Sequence, residues 1–328
     1  MKYLVIGSNS FSGSNFVNFL LNKKNNVIGV SRSKEINPVF LLYKNNINIK
    51  NFSFYKIDLN KDLKNLVKIC DKFKPDFIVN FSAQGMVAES WKSPLDWYNT
   101  NLMAQVRFHE EIRNKKYIKK YIQFTTPEVY GSTSTLIKEN FNFAPSTPYA
   151  TSRAACDLHL MTYYKTYNFP VIFTRAANVY GPHQQMFRII PKTSFSILNK
   201  SKFTLHGGGK SVRSFIHIND VCEAIYKICQ KGTIGQTYHI SNDENIKIID
   251  LVKKLCKINN TKFSDIVKIG KDRLGKDQAY LLSNKKIARE LRWKAKISLD
   301  EGMNQTFNWV SNNLHILSKQ DLNYKHKV

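Results

Sequence analysis

Tyr149 and Arg153 lie four residues apart in Pro148-Tyr-Ala-Thr-Ser-Arg153, at the start of a stretch that predicts a helix over Thr151–Tyr167. At i and i+4, a phenol and a guanidinium project from the same helix face. A fixed cation beside a phenol stabilises phenolate, so Arg153 is expected to lower the Tyr149 pKa from its ordinary value of about 10. The chemistry this allows is removal of a sugar hydroxyl proton by a general base near neutral pH. A surface tyrosine on an ordinary helix has the same spacing, so the pair needs the rest of the chain to give it meaning.

A second chemical feature stands at the other end of the sequence. The strand-like Lys2–Ile6 runs into Gly7-Ser-Asn-Ser-Phe-Ser-Gly13 and then a helix. Glycines at a strand-to-helix turn let the backbone approach a pyrophosphate, and the helix N-terminus supplies unpaired N–H groups. Ser10 replaces the usual middle glycine. The next strand ends in Val30-Ser31-Arg32-Ser33. A carboxylate there would hold a ribose diol, whereas an arginine between two hydroxyls suits a 2′-phosphate. NADP is therefore expected in preference to NAD, tightly bound and recycled. Asp58-Leu59, at the end of the third strand, either meets the adenine edge or caps the following helix.

These residues need a frame. Short apolar strands at Lys2–Ile6, Asn26–Val30, Phe52–Ile57, Asp76–Phe81, Tyr121–Phe124 and Val171–Arg175 alternate with helical stretches, including Leu63–Phe73 and Asn101–Arg113. That alternation predicts an α/β fold: a Rossmann-type, doubly wound parallel sheet with a smaller C-terminal substrate-binding lobe. Residues 1–178 read as the NAD(P)-binding domain, with 215–240 returning to it, and 179–328 as the second lobe. Ser318–Val328 reads as a polar tail.

Composition narrows the class. A 328-residue chain with 42% hydrophobic and 12% aromatic residues builds a sizeable core. The formal charge is +26, but the lysines are spread along every segment, so no specific nucleic-acid partner is expected. No apolar run approaches the roughly 18 residues of a membrane span. Cys70, Cys156, Cys222, Cys229 and Cys256 lack metal or disulfide spacing, which fits a cytoplasmic protein with no metal site.

Together the motifs resemble the extended short-chain dehydrogenases/reductases, in their nucleotide-sugar 4,6-dehydratase branch. Asn80-Phe-Ser-Ala-Gln84 resembles the family's fourth-strand motif, and Thr125-Thr-Pro-Glu-Val-Tyr-Gly131 its active-site strand end. Pro148–Arg153 resembles its Tyr-x-x-x-Lys helix. Arg175-Ala-Ala-Asn-Val-Tyr-Gly-Pro182, Phe187–Pro191, Gly207–Asp220 and Asp272–Tyr280 are similar to its nucleotide-sugar segments. The resemblance implies a lyase in which Thr126, Glu128, Tyr149 and Arg153 are catalytic. It implies cofactor contacts from Gly7, Ser10, Phe11, Gly13, Ser31, Arg32, Ser33, Asp58, Leu59, Phe81, Ser82, Ala83 and Asn101, together with Tyr149 and Arg153. Substrate contacts fall to Gln84, Ser90, Asn178, Arg188, Lys192, Arg213, Arg273 and Asp277. A homodimer through Asn101–Arg113 and Thr151–Tyr167 is implied as well.

Two departures stand out. The family's lysine is Arg153, which keeps the charge but cannot give up its proton. The acid that dTDP-glucose dehydratases place between Thr and Glu is Pro127. Glu128, once protonated, or a bound water must then serve the leaving hydroxyl. The rival readings are a nucleotide-sugar 4-epimerase, which needs no carboxylate at Glu128, a UDP-glucuronate decarboxylase, and a non-catalytic nucleotide sensor. His217 is expected in the core rather than in the chemistry, and Tyr163, Tyr164 and Tyr167 against a core or a partner subunit.

Overall fold

In a computed structural model, residues 1–272 and 277–326 are described. Seven parallel strands form the central sheet. Five of them are β1 (Lys2–Ile6), β2 (Asn26–Ser31), β3 (Phe52–Lys56), β4 (Phe77–Asn80) and β5 (Lys120–Thr125). The spatial order is Thr237–Ile240, Val171–Ala176, β5, β4, β1, β2, β3. The order reverses direction at β1 and β4, which leaves a crevice at the C-terminal ends of those strands.

The strands are continuous apolar runs because helices cover both faces. Tyr3, Val5 and Val79 pack on one side with Phe16, Leu20 and Ile225. Leu4, Ile6 and Ile78 pack on the other with Phe108, Cys156 and Leu160. Each fully buried Leu, Ile or Phe contributes about 1.5–3 kcal/mol. An exposed ion pair such as Lys92–Glu89 contributes about 0–1 kcal/mol. The apolar pattern, and not the abundant lysines, therefore selects the fold.

The second lobe is interleaved with the first. Asn178–Tyr180 and Val212–His217 pair with each other in a separate small sheet. The helix Ile218–Lys231 then returns to pack on the main sheet, and Thr237–Ile240 adds its edge strand. His217 caps that helix, its Nδ1 accepting from the Asn219 N–H at 3.3 Å. Tyr163 and Tyr164 pack against the core, while Tyr167 stays exposed with Arg113 over its ring at 4.5 Å. Residues 318–326 are not a loose polar tail: Leu322 packs beside Phe40 and Trp309.

The long helix Pro148–Tyr167 is anchored by an ion pair absent from the sequence expectations. Asp157 Oδ2 accepts from Arg175 at 3.0 Å, and neither side chain has any exposure. Tyr130, Phe141 and Phe143 surround the guanidinium at 5.0–5.5 Å. Removing one partner strands the other charge in the core. Asp157→Ala should lose about 3–5 kcal/mol in urea unfolding, against about 0.5 kcal/mol or less for Lys92→Ala. Equal, small losses would show that the pair does not anchor the helix.

Candidate active site

The ends of the parallel strands open onto one cavity of about 1070 Å³. At one end lies the glycine turn. Gly7 has φ +82°, and a Cβ there would meet the backbone N of Ser82 at 2.9 Å. A Cβ on Gly13 would sit 2.2 Å from the Gly7 carbonyl, so Gly13 is needed for close packing behind the turn and does not line the cavity. Ser10 is the N-cap of the helix Phe11–Asn22, its Oγ accepting from the Gly13 N–H at 3.0 Å. The serine in place of glycine thus stabilises the helix whose N-terminus faces the cavity.

Ser31, Arg32, Ser33, Asp58 and Leu59 line the same end. Ser31 Oγ accepts from the Asn9 N–H at 2.9 Å, and the Asn9 amide donates to the carbonyls of Ser33 and Lys34. The glycine turn and the Arg32 loop are therefore one unit. Asp58 makes an Asx turn, Oδ1 accepting from the Asn60 N–H at 2.9 Å. Phe81, Ser82, Ala83 and Gln84 follow β4 along the cavity floor. A dinucleotide fits this half: backbone donors and a helix N-terminus line it, with Arg32 beside them.

Two expected contacts lie behind the wall. Asn101 is fully buried; its Oδ1 accepts from the Gln84 N–H at 2.8 Å, and its Nδ2 donates to Gln84 O at 3.1 Å and to Ser152 Oγ at 3.0 Å. It clamps the loop after β4 to the long helix and does not line the cavity. Ser90 is also fully buried and donates to the Val87 carbonyl at 2.6 Å. Both are positioning residues.

Thr126, Glu128, Tyr149 and Arg153 meet in the middle of the cavity. Thr126 caps the single turn Pro127–Tyr130, its Oγ1 accepting from the Glu128 N–H at 3.3 Å. Pro127 suits the first helical position, where its missing N–H costs nothing. Thr126 also favours the ionised form of the Tyr149 phenol. Arg153 is almost fully buried and donates to the carbonyls of Ser82 and Phe124. The sequence reading put a lowered pKa on Tyr149. The structure corrects it: burial, then Glu128, raise the phenol above its usual range, and Arg153, Thr126 and Arg188 offset this only in part. Burial likewise lifts Glu128 to about 7, reinforced by Asp277 and opposed by Arg213 and Arg188.

Asn178, Arg188, Lys192, Arg213 and Asp277 line the other half of the cavity. Asn178 Oδ1 accepts from the Tyr280 hydroxyl at 2.7 Å. Arg213 lines the cavity and is held by backbone carbonyls. Its terminal nitrogens donate to the carbonyls of Val212, Asp277 and Gln278, and its guanidinium stacks on Tyr280 at 4.3 Å. Asp277 Oδ1 accepts from Ser146, three residues before Tyr149, at 2.8 Å. Arg273 lies outside the described residues. Sequence reading missed Tyr280 as a wall residue and Tyr324, which reaches the cavity from the far C-terminus. Tyr280 ends the segment Asp272–Tyr280 already read as nucleotide-sugar-like, whereas Tyr324 belongs to no local pattern that spacing could expose.

Among the described residues no group of His, Cys, Asp and Glu could hold a metal ion, and no helix is long and apolar enough to cross a membrane. The family model described as GDP-mannose 4,6 dehydratase matches residues 4–306. A dTDP-D-glucose 4,6-dehydratase from Dictyostelium discoideum is 32% identical over 95% of this chain and 82% of its own length. The solved dTDP-glucose 4,6-dehydratase of Streptomyces venezuelae, with NAD and TYD bound, superposes with a TM-score of 0.89 at 28% identity, covering 96% of this chain and 98% of that one. The UDP-glucose 4-epimerase of Thermotoga maritima shares the fold, with a TM-score of 0.86 at 24% identity over 96% of this chain and all of that one. A glycine turn, a Thr-x-Glu strand end and a Tyr-x-x-x-Arg helix on one cavity, with a family match over nearly the whole length, place the chain in the GDP-mannose 4,6 dehydratase family, the nucleotide-sugar 4,6-dehydratase branch of the extended short-chain dehydrogenases/reductases.

Proposed function

We propose that this chain is a lyase that converts a nucleotide-activated hexose into its 4-keto-6-deoxy form. The observation that carries this is the convergence of Thr126, Glu128 and Tyr149 on one wall of a cavity whose other end is a dinucleotide turn. A bound nicotinamide would lend a reversible store for the hydride of C4 and later give it to C6. In its phenolate form, which Arg153 and Thr126 favour against burial, Tyr149 takes the proton of the 4-hydroxyl, and Thr126 holds the 4-oxygen as it becomes a carbonyl. That carbonyl acidifies C5–H, which Glu128 removes. The proton on Glu128 then passes to the departing 6-hydroxyl, and water leaves. With Pro127 in place of a separate acid, one carboxyl does both jobs. A pKa of about 7 suits it to both, since acid and base forms coexist at neutral pH. A 4-epimerase would not need this carboxyl, which favours dehydration.

Arg32 supports NADP over NAD, because a guanidinium at the end of β2 complements a 2′-phosphate. The helices Ala104–Ile112 and Pro148–Tyr167, with the turn before the first, leave Met103, Leu158 and Tyr167 exposed, which supports a homodimer through these helices. A sedimentation mass of one chain at micromolar concentration would remove the dimer.

Purified protein should convert dTDP-glucose, GDP-mannose or UDP-glucose to a product lighter by one water, with no net cofactor reduction. Tyr149→Phe should lower turnover by about 100-fold or more. The cofactor released on denaturation should weigh as NADP; NAD alone would refute the reading of Arg32. A product of unchanged mass with inverted C4 would mark an epimerase.

Glu128 also predicts a pH-dependent stability. Its carboxyl holds a proton up to about pH 7 when folded, against 4.5 ordinarily. Between those values the folded state binds the extra proton, so Glu128 removes stability as pH rises through that window. Glu128→Gln should therefore unfold at higher urea than the parent at pH 8, by about 1–3 kcal/mol, and show little difference at pH 4.5. A pH-independent difference would contradict the raised pKa.

A further inference from the structure

We propose that residues 320–326 form the outer wall of the active site and strap the cofactor into it between the two hydride transfers. This rests on the dehydratase reading above. After the short helix Leu314–Leu317 the chain turns back across the cavity. It is pinned on both sides. Leu322 packs on the cluster of Phe40, Met186 and Trp309. Across the opening, His326 Nε2 lies 2.7 Å from Asp96 Oδ2, and its ring stacks on Trp97 at 4.9 Å and 15°.

Between the pins, Asn323, Tyr324 and Lys325 line the same cavity as the glycine turn and Tyr149. The Tyr324 hydroxyl donates to Gln84 Oε1 at 3.4 Å, and its ring meets Phe187 edge-on at 5.5 Å. Gln84 follows β4 on the dinucleotide side, and Phe187 precedes the helix Ile189–Leu198 of the second lobe. Tyr324 therefore bridges the cleft over the place where both ligands meet. Within the segment Lys325 pairs with Asp321 at 2.6 Å, four residues away, which holds the backbone that carries Tyr324. Each pin is a partly exposed contact, so the strap opens without disturbing the core.

Retention has a chemical reason. The reaction is redox-neutral only if the cofactor that receives the hydride also returns it. Loss of the reduced cofactor before return would leave an oxidised sugar and an enzyme without its hydride.

The test compares the full chain, His326→Ala and a chain ending at Asn323, which keeps Leu322. Each is loaded with NADPH, and separately with NADH, and diluted into excess oxidised cofactor while nicotinamide fluorescence is followed. The shortened chain should release reduced cofactor at least tenfold faster, and His326→Ala at least threefold faster. Equal or slower release would overturn the strap and leave dehydration intact. A full chain that binds neither dinucleotide would overturn the dehydratase reading and the strap together.

Discussion

Arg153 donates to the carbonyls of Ser82 and Phe124, so a single guanidinium ties the ends of β4 and β5 to the helix that carries Tyr149. The rest of the site depends on this tie. The Thr126 hydroxyl and the Glu128 carboxyl come from the turn after β5 and the phenol from the long helix, and all must reach the same point. A lysine has one compact charge; an arginine has a planar fork that holds two strand ends at once. Asn101 repeats the device one layer out, clamping both backbone polar groups of Gln84 and reaching Ser152 on the same helix. The wall is rigid because its polar groups are fixed by the backbone and not by mobile surface chains.

The same enclosure sets the protonation states. Proximity of a cation argues for a phenolate at Tyr149, yet burial and the neighbouring Glu128 outweigh Arg153. Desolvation penalises any charge, while an attraction acts only between pairs. Glu128 meets the same penalty and gains a second from Asp277. Tyr149 therefore rests protonated, while Glu128 divides between its acid and base forms near neutral pH, which suits a site that receives a neutral sugar and ionises during the reaction.

Much of this was legible from residue order. Alternating strands and helices gave the sheet because apolar runs are local and periodic. The glycine turn and the Thr-x-Glu and Tyr-x-x-x-Arg segments were legible because each is contiguous. What escaped was long-range. Asp157 and Arg175 lie 18 residues apart with no shared motif, and their pairing depends on how helix and strand stack. Ser90 and Asn101 look like ligand contacts by type, but burial turns them inward. That the carbonyls of 277 and 278 hold Arg213 in place at the cavity is likewise a long-range feature. Polar composition alone made the last residues look like a solvated tail, while Leu322 and His326 hold them down.

The interleaving of the lobes has a consequence for synthesis. Val171–Ala176 pairs with β5 on one side and with Thr237–Ile240 on the other. While a ribosome is still adding residues 177 to 236, that strand presents a bare edge, and the helix Ile218–Lys231 that covers its face is unfinished. Bare edges template wrong pairings. The nucleotide half of this protein therefore cannot mature ahead of the sugar half: nascent chains must stay unaggregated until residue 240 emerges, and both halves reach the native state in one late event.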